Sequence, residues 1–166
     1  MFRPFANWLE TTPVSAALQN AAWVVPVSQS IHIIGMSVLF ASALMINMRL
    51  LGVTRFGRPA AQLVRTLVPW MWIALIALLA TGTVQTIAEP VRQFVAPVFW
   101  AKMSMILVVV TMTALFTRYL RHKAADGDTA AAHSPGARLF AVLSTMLWVA
   151  IVVCGRFIGY TSAFYQ

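Results

Sequence analysis

The chain has 166 residues, of which 60% are hydrophobic and 10% are charged, and its formal net charge is +8 at pH 7. This composition excludes a soluble globular domain, whose surface would need more polar residues. The basic excess does not indicate nucleic-acid binding, because the Lys and Arg residues flank apolar stretches and do not line one polar face. Cys154 is the single cysteine, which excludes an intrachain disulfide framework and a thiolate metal site.

The N-terminal segment, residues 1–26, is too mixed in polarity to cross a bilayer. We expect it to lie along the membrane interface, where its Trp side chains are favoured. Thr11 or Thr12, ahead of Pro13, can cap a short helix over residues 14–22. The segment has no basic stretch followed by an apolar core and a small-residue cleavage site, so a cleavable signal peptide is not predicted.

Four apolar stretches of membrane-spanning length follow, near residues 27–48, 66–88, 97–117 and 139–161. A helix needs roughly 20 mostly apolar residues to cross a bilayer core. Pro69 and Pro97 are expected in the first turns of the second and third spans, where a missing N–H costs little. The sequence therefore predicts an all-α, integral membrane four-helix bundle over 27–161, preceded by an interfacial N-terminal helix within 1–26.

The Lys and Arg residues concentrate in two of the three loops, which predicts the orientation. The first loop carries Arg49, Arg55, Arg58 and Arg65, and the third carries Arg118, Arg121, Lys123 and Arg138. The second loop has only Arg92, opposed by Glu89. Both termini are therefore predicted to face away from the cytoplasm. His122 and His133 lie in or beside the third loop, and we interpret them as solvated side chains.

Three ionisable side chains lie inside the spans: His32 in the first, Lys102 in the third and Arg156 in the fourth. A rise of ~1.5 Å per residue puts all three roughly 7–9 Å below the outer boundary. No Asp or Glu lies in any span, so an anionic ligand would supply the missing charge. The polar run 81–86 ends the second span at the same level. The alternative is that the two cations extend to lipid phosphates and His32 bonds a backbone carbonyl.

A b-type haem is a ligand that suits one imidazole and two nearby cations. His32 would bind the iron, and Lys102 and Arg156 would pair with the two propionates. Met103 and Met105 flank Lys102 and are candidates for the second axial position. A five-coordinate iron, or a second histidine from another protomer or subunit, stays open. The predicted function is a haem b-binding electron-transfer subunit that works between a periplasmic redox partner and the quinone pool or a terminal enzyme.

Small residues indicate close helix packing. Gly155 and Gly159 form a GxxxG pattern beside Arg156. Ser28, Gly35 and Ser42 give the first span a stripe of small residues at seven-residue spacing. Such stripes usually mark contacts between helices of one chain and only sometimes an oligomer interface. Because four spans bury few polar groups and leave such stripes available, we expect a homo-oligomer or a subunit of a larger membrane complex.

Four sequence features resemble an uncharacterised family of bacterial four-helix inner-membrane proteins. They are W-x2-P-x5-H-x2-G at 23–35, RLLG at 49–52, Lys102 after FWA, and GRFIGY at 155–160. The resemblance covers nearly the whole chain and implies a bacterial inner membrane, but that family carries no assigned activity. In plan the chain is also similar to small membrane cytochromes b and to copper-resistance-type membrane proteins. Those cytochromes pair histidines on facing helices, and here only His32 matches such a role.

Two other functions stay open at this point. One is a non-catalytic subunit that anchors a larger complex, with its cations holding lipid headgroups. The other is a small transporter or copper-handling protein, although no span is clearly broken, unlike those of many carriers. The sequence shows no nucleophile–base pair, phosphate-binding loop or metal motif, so an independent enzyme is not predicted. A role as one subunit of an oxidoreductase complex is compatible with all of these features.

Overall fold

The structure is a computed structural model that describes residues 3–54, 60–125 and 134–161. Within these ranges the chain forms helices and no strand. The helices are α1 (Arg3–Glu10), α2 (Pro13–Asn20), α3 (Val24–Leu50), α4 (Ala60–Ala88), α5 (Pro90–Val95), α6 (Pro97–Ala125) and α7 (Pro135–Thr161). Arg55, Arg58 and His133, which the sequence placed in loops, lie outside the described residues.

The four long helices, α3, α4, α6 and α7, are each long and apolar enough to cross a membrane. This confirms the predicted all-α bundle with four membrane spans. α3 packs most extensively against α4 and also contacts α7, which in turn packs against α6. Every span exposes large apolar side chains on its outer face, which suits contact with lipid. Examples are Ile33, Ile76, Leu107 and Met146.

The helices extend beyond the predicted apolar stretches, because backbone hydrogen bonding continues through polar residues. α7 begins at Pro135, and Ser134 Oγ caps it by accepting the Ala137 N–H at 3.2 Å. The prediction that Pro69 lies in the first turn of the second span was wrong, since α4 begins at Ala60 and Pro69 lies inside it. A proline is tolerated there because neighbouring groups in a membrane bundle can compensate for the lost bond. Pro97 is the first residue of α6, as predicted.

The N-terminal segment folds into two short helices, whereas the sequence predicted only the second. Thr12 is the cap of α2, and its hydroxyl accepts the Ser15 N–H at 3.4 Å. The helix begins at Pro13 and ends at Asn20, two residues before the predicted end. Its Ser15 hydroxyl donates to the Ile87 carbonyl at 2.8 Å. This bond ties the segment to the C-terminal end of α4, where carbonyls lack helical partners.

We call α1, α2 and α5 the cover, because they lie together across one end of the bundle. α1 packs against α5 through an edge-to-face contact of Phe5 and Phe94, with ring centroids 5.6 Å apart. The opposite end, which we call the basic end, joins α3 to α4 and α6 to α7. Its described Lys and Arg residues are Arg49, Arg65, Arg118, Arg121, Lys123 and Arg138.

Candidate functional site

His32 lies on α3 near the cover, and α4 holds its ring. The Nδ1 atom of His32 is 2.8 Å from Thr81 Oγ1. The same hydroxyl donates to the Ala77 carbonyl at 2.8 Å. A hydroxyl has one proton, so both contacts are hydrogen bonds only if Nδ1–H of His32 donates to Thr81. This arrangement leaves the lone pair of the imidazole on Nε2.

Two further features of the contact between α3 and α4 lie close to this ring. One turn before His32, the Ser28 hydroxyl donates to the Thr81 carbonyl at 3.2 Å. Next in sequence, Gly82 has no side chain, and a Cβ built there would lie 3.6 Å from His32 Cε1. The glycine therefore leaves the edge of the imidazole open. The result is an imidazole that is oriented on one side and accessible on the other.

His32 lines a cavity of about 410 Å³, the site cavity, to which all four spans and helices α1 and α5 of the cover contribute side chains. Ligand pockets for small molecules typically measure ~300–1,000 Å³ and are mostly apolar with a few polar groups. The site cavity follows that pattern, with Phe5, Leu9 and Phe94 contributed by the cover. Its polar lining residues are His32, Thr83, Gln85, Thr86, Gln93 and Lys102. No Asp or Glu is among the described residues that line it.

Lys102 is the one Lys or Arg residue among the described residues of this lining. It lies in α6, five residues after Pro97, and its side chain passes close to Gly155 of α7. A Cβ on Gly155 would lie 3.7 Å from Lys102 Nζ and 3.9 Å from Cε. Gly155 of the GxxxG pattern therefore lies against the Lys102 side chain, at a contact between α7 and α6. The surroundings of Gly159 lie outside the described side chains.

Arg156, the third predicted site residue, is exposed and does not line the site cavity. It follows Gly155, so it lies at about the level of Lys102, as its predicted depth requires. One residue along a helix is a rotation of about 100°, which turns its side chain away from the interior. The structure therefore brings His32 and Lys102 together at one cavity and places Arg156 on an outer surface. A part for Arg156 in ligand binding stays a prediction.

Residues 5–161 match the family of unknown function DUF6644. The chain belongs to this family. No curated protein and no solved structure matches the chain. The match confirms the resemblance to a family without an assigned activity. The function of this DUF6644 protein is therefore inferred from its own residues.

Sequence reasoning missed several groups that shape the DUF6644 site. Thr81 and Gly82 were recognised only as members of a polar run, and their contacts with the imidazole were not predicted. Gln85 Nε2 and Trp148 Nε1 are buried in the cavity wall and have no hydrogen-bond partner among the described residues. A hydropathy pattern cannot reveal such donors, because it does not show which groups lack partners. Met103 lines the cavity and Met105 does not, which separates the two predicted axial candidates.

Proposed function

We propose that this protein is a membrane haem b-binding electron-transfer subunit in which His32 Nε2 binds the iron. The observation that carries the proposal is the bond from His32 Nδ1–H to Thr81, which leaves the Nε2 lone pair at the edge of a mostly apolar cavity. Histidines that bind metals commonly donate their other N–H to a neighbouring acceptor, which fixes the tautomer and the ring plane. Haem iron is commonly held by a single proximal histidine.

The other residues that line the site cavity suit the porphyrin ring and the propionates of a haem. The walls of the cavity suit the porphyrin, and the Lys102 ammonium suits a propionate carboxylate. Gln85 Nε2, a buried donor with no partner among the described residues, is a second group that can bond a carboxylate oxygen. Met103 lines the cavity from α6 and would be a second side chain able to hold the iron. Arg156 at the same level is the proposed partner of the second propionate.

When bound, the haem supplies one-electron chemistry, and the chain determines where and how it is held. His32 and Thr81 would orient it, Lys102 would offset its negative charge, and Phe5 and Phe94 of the cover add to the apolar lining. An apolar lining strengthens the effect of each charge on the reduction potential. A small electron-transfer subunit needs residues that hold its haem and set the reduction potential, and these residues would do both.

We further propose that the protein lies in a bacterial inner membrane, with both termini in the periplasm, and works in an oligomer or a larger complex. The described Lys and Arg residues of the first and third loops support this orientation, because they lie at the basic end. The site cavity then lies near the periplasmic surface. A periplasmic redox protein could reach it through the cover, and a quinone from the bilayer.

An anchoring subunit without a cofactor is the second candidate. The exposed position of Arg156 favours it, because an exposed guanidinium near the membrane surface can bind lipid phosphates. In that case His32 and Thr81 form a structural bond between α3 and α4. This reading does not use the site cavity or its buried donors.

The absorption spectrum of the purified protein separates the two candidates. The protein is purified from haem-replete cells with its native partners, alongside His32→Ala and His122→Ala. We expect a Soret band in the wild type, its loss in His32→Ala, and its retention in His122→Ala, since His122 is exposed at the basic end. A wild-type preparation without Soret absorbance and without iron would exclude the haem proposal and favour the anchoring subunit.

A further inference from the structure

Two smaller cavities continue from the site cavity toward the basic end of the bundle. The middle cavity, of about 30 Å³, shares Leu75 and Trp148 with the site cavity. The inner cavity, of about 10 Å³, shares Met71, Thr113 and Thr117 with the middle cavity. Neighbouring cavities thus have lining residues in common, and the three form one series along the bundle.

This series covers most of the thickness of a membrane. On α3, His32 lines the site cavity and Asn47 lines the inner cavity. From position 32 to position 47, a rise of ~1.5 Å per residue gives about 22 Å, which is roughly three-quarters of a ~30 Å bilayer core. α6 follows the same order, from Lys102 at the site cavity to Thr117 at the inner cavity.

Polar groups line each part of the series. Trp148 is 3% exposed, and its indole N–H, which has no partner among the described residues, belongs to a residue that lines both the site and middle cavities. Thr113 and Thr117 line both smaller cavities. Their hydroxyls donate to the carbonyls of Val109 and Thr113, at 2.7 and 2.8 Å. Each hydroxyl oxygen therefore keeps lone pairs that can accept from water.

The inner cavity has the most polar wall of the two smaller ones. Asn47 Nδ2 donates to Ser144 Oγ at 3.2 Å and to Thr145 Oγ1 at 3.0 Å, which joins α3 to α7. A water needs roughly 10–15 Å³ of such space and two to four polar partners. The inner cavity is just large enough for one water, and the middle cavity is larger.

We propose that these cavities hold a chain of waters that carries protons between the basic end and the site cavity. At each step a water accepts a proton on one side and releases another on the opposite side. One proton therefore moves in total, no protein bond is broken, and no electron is transferred. The charge is balanced by an electron reaching the site cavity or by a counter-ion crossing the membrane. The ionisable residues among the described lining of the three cavities are His32 and Lys102, both at the site cavity.

The path is independent of the haem proposal, because it depends only on water and on side chains of the chain. The competing explanation is that the hydroxyls and Asn47 serve only to hold helices together, as polar groups commonly do in membrane bundles. That explanation accounts for the Asn47 bonds, but it assigns no role to the cavities. Proton flux distinguishes the two.

The test uses the purified protein with its native cofactor content in zwitterionic lipid vesicles that enclose a pH-sensitive dye. A potassium gradient with valinomycin drives proton movement, and Thr117→Val is compared with Thr111→Val. Both hydroxyls back-bond to a carbonyl four residues earlier on α6, but Thr111 is exposed and lines none of the three cavities. We expect Thr117→Val to lower the flux about tenfold, since an apolar constriction excludes water, and Thr111→Val to match the wild type.

A second pair of variants keeps the result interpretable if Thr117→Val does not fold. Ser144→Ala removes an inner-cavity hydroxyl, and Trp148→Phe removes the indole N–H while keeping an aromatic ring. Both are expected to lower the flux as well. Two results would overturn the proposal. One is a wild-type flux equal to that of protein-free vesicles, and the other is an equal flux in Thr117→Val and Thr111→Val. The Soret band is recorded on the same samples, so that loss of haem and loss of flux are scored separately.

Discussion

The hydroxyl of Thr81 determines which nitrogen of His32 is available to a ligand. It is buried between α3 and α4 and already donates to the Ala77 carbonyl, so it can only accept from the imidazole. A serine or an apolar residue at this position would hold the ring less well or not at all. The sequence identified His32, because an ionisable residue is conspicuous in an apolar span. It did not identify Thr81 as its partner, because that pairing depends on the rotation of α4 against α3.

Thr81→Val is expected to lower haem affinity by about 10- to 100-fold, because outer-shell partners of metal-binding histidines commonly contribute that much. Valine keeps the shape but cannot accept the His32 N–H. Thr66→Val is the matched control, since this α4 hydroxyl back-bonds to Gln62 and is exposed. Haem titration of the purified variants measures the effect. Equal affinity in the two variants would contradict a role for Thr81 in orienting the ligand.

Lys102→Gln is expected to lower the midpoint potential of the haem and weaken its retention, while some haem stays bound. A positive charge roughly 10 Å away, at an effective dielectric constant of about 20, favours the added electron by about 1–2 kcal/mol. Lys123→Gln removes the same charge at the far end of α6 and should leave the potential unchanged. Redox titration in one buffer provides the measurement. A larger shift in Lys123→Gln than in Lys102→Gln would place the cofactor elsewhere.

For each membrane-spanning helix, the sequence predicts the depth of a residue in the membrane better than the direction in which its side chain points. The rise per residue gave the common level of His32, Lys102 and Arg156, because it needs only the start of each span. To predict the direction of a side chain, one must know which side of its helix is buried. A span that is apolar on all sides gives little indication of that side. In α7 the buried residues Ser144, Trp148, Ile151 and Ile158 define that side. Arg156 lies away from it, which hydropathy alone could not show.

The cover is the element whose attachment is easiest to test. Ser15 is fully buried, and its hydroxyl satisfies the Ile87 carbonyl at the end of α4. Ser15→Ala leaves that carbonyl without this donor, which typically costs about 1–3 kcal/mol. We expect faster hydrogen exchange in α1 and α2, measured by mass spectrometry in detergent. Ser30→Ala is the control, since its hydroxyl is exposed and bonds within α3, to Pro26.

For the whole molecule, the number of spans was predictable and their exact ends were not. Bilayer thickness sets the number of apolar residues that a span needs, and hydropathy counts them directly. Helix ends depend on caps and on backbone bonding through polar residues, as at Ser134 before α7. The cover was only partly foreseen, because the amphipathic pattern of α1 does not show that this helix packs on α5.

The orientation of the bundle is the last prediction, and it decides which compartment the site cavity faces. The described Lys and Arg residues of the first and third loops lie at the basic end. The cover at the opposite end carries only Arg3 and Arg92 among its described residues, with Arg92 in an ion pair with Glu89. Such an asymmetry places the basic end in the cytoplasm. We therefore expect a reporter that works only in the periplasm to be active after residue 166 and inactive when inserted within 126–133. A cytoplasmic reporter should give the reverse result at both positions. If both reporters report the opposite, His32 and the cover face the cytoplasm, and the redox partner of the site must be sought there.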